Sequence, residues 1–183
     1  MASKTPEEIL EDARKVIGLE SDPVPSRYPV EYDPIRRYCH MVDDDNPLFL
    51  DPEYAATTEF GAVVTPPFFV RQTAGPGPWP PRDEETPGVV SQVPAAGDRT
   101  INLNTEFECL RPIKVGDHIA TKQRVVDVYI KAIRLDPKAF WTVYDTIFTN
   151  QDNEVVLIMR NTLLRHRTPE EVKAAGDAPA TSS

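Results

Sequence analysis

Cysteine is scarce in this 183-residue chain: only Cys39 and Cys109 occur, far apart and in no C-x-x-C pair. That spacing excludes the usual zinc frameworks and leaves two reduced thiols in the core as the expectation. Histidine is as sparse. His40, His118 and His166 form no H-x-x-x-H pair, so each is read as a surface residue, not a metal ligand. Basic residues are outnumbered, 20 Lys and Arg against 29 Asp and Glu, and the net charge of −9 disfavours nucleic acid as a partner. It leaves room for a small anionic ligand, since a local basic patch is enough. No run of about 20 apolar residues is present, so no membrane span is expected. The first residues, MASKTPEEIL, lack a basic and then apolar leader, which points to the cytoplasm. Neither a G-x-x-x-x-G-K-[ST] phosphate loop nor a G-x-S-x-G nucleophile elbow occurs.

What is abundant is proline. There are 19, many between Pro66 and Pro87. Residues 75–88 therefore read as one long irregular flap carrying Trp79. Elsewhere proline marks helix starts. Thr5-Pro6-Glu7-Glu8 is a capping box ahead of Ile9, Leu10, Ala13, Val16 and Ile17, and Gly18 stops that helix. Asp33-Pro34 opens a second helix with Ile35, Tyr38, Cys39 and Val42 on one stripe. Asp51-Pro52 opens a short third. Thr65 is placed to cap a helix over Pro66-Pro67-Phe68-Phe69-Val70, apolar nearly all round and so expected to be buried.

Strands follow. Ile101, Leu103, Thr105, Phe107 and Cys109 alternate with polar residues, the mark of a half-buried antiparallel strand. Residues 119–132, 139–149 and 155–165 are three more. Thr168-Pro169-Glu170-Glu171 caps a last short helix. Helices followed by antiparallel strands give the α+β class, with the sheet wrapped around a buried central helix. The chain divides into an N-terminal helix (1–18), a central domain (19–167), and a short helix with a flexible tail (168–183).

The stretch from Asp44 to Ala55, with Phe60-Gly61 after it, resembles the MaoC-like hydratase and dehydratase family, whose motif reads D-x-N-P-[LI]-H-x-D and then F-G. Arg111-Pro112-Ile113-Lys114-Val115-Gly116-Asp117 is similar to the family's R-P-[IV]-x-x-G-D. The resemblance implies a single hot-dog domain and reversible addition of water to a 2-enoyl thioester, without a cofactor. A carboxylate and an imidazole would activate the water. A backbone N–H near the start of the central helix would stabilise the developing enolate oxygen.

Carried over by position, Asp44 matches the family's catalytic Asp, and Asn46-Pro47 its Asn-Pro. Phe49 stands where the catalytic His would be. Thr65-Pro66-Pro67 occupies the place of a His-Gly pair, and proline has no N–H to donate. This pattern resembles the non-catalytic chain of heterodimeric hydroxyacyl-thioester dehydratases. It implies an acyl-CoA or acyl carrier protein thioester as ligand and a second hot-dog subunit, carrying Asp and His, as partner. Asn46, Phe49, Thr65, Phe68, Phe69 and Trp79 are then the candidate substrate-binding residues. On the residues alone the three phenylalanines read as plain core rather than tunnel lining, and Asp43 to Asp45 as a solvated turn. Rival functions are a self-sufficient homodimeric hydratase using Asp44 with a water, with Tyr38 or with His40, an acyl-CoA-binding module, and a thioesterase. Arg111 and Lys114 could meet coenzyme A phosphates or simply flank a turn.

Overall fold

A computed structural model describes residues 4–75 and 88–177. Helix starts follow the local chemistry. The first helix, α1 (Pro6–Arg14), has the full capping box, Thr5 accepting from the Glu8 N–H and Glu8 reaching back to Thr5. It stops earlier than expected. Lys15 is the C-cap, and loose turns lead to Gly18, whose φ of 86° suits glycine. The two-residue strand β1 (Val24–Pro25) lies in the extended lead-in.

Helix α2 (Tyr32–Met41) buries Ile35 and Cys39 completely, while Val42, past its end, is 47 % exposed. Two short helices follow, α3 (Pro47–Leu50) and α4 (Pro52–Thr57). Each is capped by the side chain before its proline, Asn46 and Asp51.

The central helix begins at Pro67 and runs three residues past the apolar stretch. It is one 3-10 turn, Pro67–Phe69, continued by α5 (Val70–Thr73). Thr65 does not cap it; Pro66 holds that position without a side-chain hydrogen bond. Phe69 and Val70 are buried, but Phe68 is 66 % exposed and meets Phe107 edge-on, with ring centroids 5.0 Å apart. Trp79 lies outside the described residues. A further 3-10 turn spans Val89–Gln92.

Four long strands then form the sheet: β2 (Arg99–Cys109), β3 (Ala120–Ile130), β4 (Phe140–Thr149) and β5 (Val155–His166). The order is β1-β3-β4-β5-β2, and all pairings are antiparallel. Helix α6 (Pro169–Ala174) closes the described chain with a second capping box, at Thr168. None of the helices among the described residues is long and apolar enough to cross a membrane.

One face of the sheet carries two apolar clusters. The first joins Phe148, Leu157 and Met159 to Ile35, Cys39, Phe69 and Val70. The second joins Val125, Val128 and Phe140 to Ala13 of α1 and to Val89 and Val93. Between them runs a polar row: Thr105 Oγ1 donates to Asn161 Oδ1 at 2.8 Å, and Asn161 pairs with Tyr144.

The expected alternation in β2 breaks at a bulge between Asn102 and Asn104. The extra residue changes which face the side chains meet. With β2 also at the sheet edge, Ile101 and Leu103 are left 46 % and 44 % exposed instead of facing the core.

Candidate functional site

The loop after α2 is built from its own side chains. Asp43 sits at φ 54°, a left-handed position that Asp tolerates in turns. Asp44 Oδ1 accepts the Asn46 N–H at 3.1 Å, and Asn46 Oδ1 accepts the Leu48 N–H at 3.0 Å. These links turn the chain into α3 and set Phe49 on the inner side of that helix, half-buried against the first apolar cluster.

Across from Phe49, the chain before the central helix is pinned to the turn after β2. The Thr65 N–H donates to Ile113 O at 2.8 Å, and the Val115 N–H to Val63 O at 2.9 Å. Thr65 is buried. The two prolines after it provide no amide hydrogen at the mouth of the helix.

A pocket of about 290 Å³ opens between these parts, lined by Phe49, Phe60, Thr65, Pro67, Cys109 and Leu157 among others. Its wall is almost wholly apolar. Among the described residues the polar ones that line it are Thr65, Cys109 and Arg111, which also pairs with Glu154 at 3.2 Å. No carboxylate and no imidazole among the described residues line it. Such a lining can hold a hydrocarbon group but has no group that moves a proton near neutral pH.

The candidates from the sequence therefore separate. Phe49 and Thr65 share this pocket. Asn46 is an exposed cap, Phe69 is core, and Phe68 lies outside against Phe107. Asp44 belongs to the turn, not to the pocket lining. His40 and His118 are exposed, and among the described residues no hydrogen bond joins His40 to Asp44. His166 corrects the surface reading: it is buried, its Nδ1 2.8 Å from Arg167 O.

The cysteines differ as well. Both are free, Cys39 in the core but Cys109 exposed. Burial and then the Asp44 charge push the Cys39 thiol up, and partial desolvation by its neighbours does the same at the accessible Cys109, which makes both poorer thiolates. Among the described residues no group of three or more metal-ligating side chains is placed to hold a metal.

Phe60, Cys109 and Leu157 were not singled out as ligand contacts from sequence. For Cys109 and Leu157 the signal is structural: they are cross-strand partners in β2 and β5.

With this geometry in place, comparison with known proteins gives the family. The model of the FAS1-like dehydratase domain region matches residues 15–159. The chain belongs to that family.

Members of this MaoC-like, hot-dog group are hydratases and dehydratases. A protein of Thermomonospora curvata named "Probable enoyl-CoA hydratase alpha subunit" is 29% identical over 167 residues, covering 83% of this chain and 51% of its own length. The chain thus spans about half the length of that relative. A Streptomyces avermitilis "UPF0336 protein" is 27% identical over 111 residues, 59% of this chain and 68% of its own. Among solved structures, the ChsH1-ChsH2 complex from Mycobacterium tuberculosis contains a chain with the same fold. The TM-score is 0.73 at 20% identity, covering 88% of this chain and 98% of that one. A chain of the HadBC (3R-hydroxyacyl-ACP dehydratase) complex from the same organism gives a TM-score of 0.57 at 20% identity, covering 81% and 96%. These likenesses establish the hot-dog fold of the FAS1-like dehydratase-region chain described here.

Proposed function

We propose that this chain is the acyl-holding subunit of an enoyl-CoA hydratase or 3-hydroxyacyl-thioester dehydratase, and that a second hot-dog chain supplies the catalytic Asp and His. The carrying observation is the pocket in which Phe49 stands at the position of the family's catalytic His. Phenylalanine neither transfers a proton nor accepts one. The Pro66-Pro67 pair at the mouth of the helix withholds the N–H groups that an enolate oxygen would need. What remains is an apolar recess suited to the tail of a thioester, beside Thr65.

In the complex, the partner's carboxylate and imidazole would draw a proton from water as its oxygen bonds to C3, and a proton would be delivered to C2. This chain's part is to exclude water from the acyl group and hold it still. The thioester carrier is coenzyme A or acyl carrier protein, and a cytoplasmic setting goes with this reading. The self-sufficient alternative requires a base in the pocket. Asp44 is instead held in its own turn by the Asn46 N–H.

Reconstitution tests the proposal. This chain and its catalytic partner are purified separately and mixed, and hydration of trans-2-enoyl-CoA substrates of increasing length is followed. The expected result is turnover only in the mixture, with Phe49→Ala in this chain changing KM or length preference and leaving kcat in place. Full activity of the partner without this chain would contradict it.

A further inference from the structure

Strand β2 is the open edge of the sheet. Among the described residues it pairs with β5 alone, and its eleven residues make it long for an edge. The opposite edge, β1, is two residues long and contains proline, a blunted form. Ile101 and Leu103 of β2 are about half exposed, at 46 % and 44 %. A bare edge of this length and polarity is a template for another strand.

A single row of charges crosses the outer face of the sheet toward that edge. The bridge Glu20↔Arg124 and the pairs Arg124↔Asp145, Asp145↔Arg160 and Arg160↔Glu106 put five side chains in line. Their signs alternate. Asp145, fully buried, accepts from Arg124 Nη2 at 2.9 Å and from Arg160 Nε and Nη2 at 2.7 and 3.0 Å. At the far end Glu20 is balanced by Lys122 at 2.6 Å as well as Arg124 at 3.9 Å.

The β2 end is not balanced. Glu106 accepts from Asn104 Nδ2 at 2.7 Å. Glu108, two residues on and on the same face, adds a second acid near Arg160. Among the described residues one arginine, Arg160, already committed to Asp145 through two nitrogens, faces both. The excess negative charge of the row lies on the free edge.

We infer that the strand pairing with β2 carries an arginine or lysine opposite Glu106, extending the alternating row by one cation, and that it belongs to a chain other than this one. The inference rests on the subunit reading above and names what its partner must present. A second copy could offer only Arg99, the sole cation of this strand. Antiparallel pairing of Arg99 with Glu106 or Glu108 of a second copy centres the two-fold axis between Asn102 and Asn104. That is the bulge, where the ladder is irregular in both copies. A different strand has no such conflict, and opposite charges facing across a strand pair stabilise it.

The test begins with the native complex, whose second chain is identified by mass spectrometry and co-expressed with this one. Dissociation constants are then measured for wild type, Glu106→Gln and Glu106→Arg, with circular dichroism confirming that each variant folds. The expected loss for Glu106→Arg is about ten-fold or more, smaller for Glu106→Gln, and regained when the facing basic residue is replaced by glutamate. If Glu106→Arg binds within about two-fold of wild type, or the facing residue is not basic, the inference fails and the subunit reading stands. If no second chain is found and the purified chain self-associates through β2, both fail.

Discussion

The Asp44 carboxylate accepts the Asn46 N–H at 3.1 Å, so the side chain that matches the family's catalytic acid is used here to build a turn. Asparagine at position 44 keeps an oxygen acceptor for that bond. Asp44→Asn is therefore expected to change stability by less than about 1 kcal/mol, within the range of cap substitutions. Turnover of the assembled complex stays at the wild-type level. A hundred-fold loss of kcat in a folded Asp44→Asn complex would return Asp44 to the chemistry.

Phe49 is half-buried, packs on the first apolar cluster and lines the pocket. Truncation removes both roles at once. Phe49→Ala is expected to cost about 2 kcal/mol in urea unfolding, less than for a fully buried phenylalanine. A long-chain enoyl substrate loses affinity more than a short one. An unchanged length profile would show that the acyl group does not occupy this pocket.

Asp136 and Arg167 form the buried ion pair of the molecule's other end. Arg167 Nη2 lies 2.6 Å from Asp136 Oδ1, and the Arg167 and Lys138 N–H groups each donate to the same carboxylate at 2.9 Å. Burial alone would raise the Asp136 carboxyl, but these hydrogen bonds hold it below the ordinary value. Asp145 is depressed in the same way by Arg160 and Arg124 against its own burial. A depressed folded value means that the stabilisation is complete above the unfolded carboxylate value of about 4 and is lost as pH falls through the lower folded one. The melting temperature is thus expected to fall steeply below about pH 4. Asp136→Asn should flatten that acid limb and cost about 3 kcal/mol at neutral pH, because it leaves Arg167 buried with weaker compensation. An unchanged acid limb in this variant would remove Asp136 from the account.

The same contrast between local and distant interactions explains what the sequence disclosed. The capping boxes at Thr5 and Thr168 involve residues three apart, and both formed as expected. The strands β3, β4 and β5 follow their apolar patterns to within a residue or two. The bulge in β2 depends on its pairing with β5 and has no signal of its own, so Ile101 and Leu103 were placed on the wrong side of the burial boundary. Phe68 reads as core within an all-apolar run, yet the helix opens on the prolines as a 3-10 turn, and Phe68 lies outside. Phe49 and Thr65, candidates through the resemblance to the family's motif, line one pocket. Cys109 and Leu157 join them only through strand pairing across nearly fifty positions. The pairing of Asp136 with Arg167, 31 positions apart, was equally silent.

The most direct test is the hydration of a short trans-2-enoyl-CoA by the purified chain alone, followed by loss of the enoyl absorbance, with circular dichroism confirming the fold. A subunit whose pocket holds Phe49 in place of a base should show no turnover above the uncatalysed rate. Robust turnover from the folded chain would contradict the account, and would place a working base and oxyanion donor within this chain.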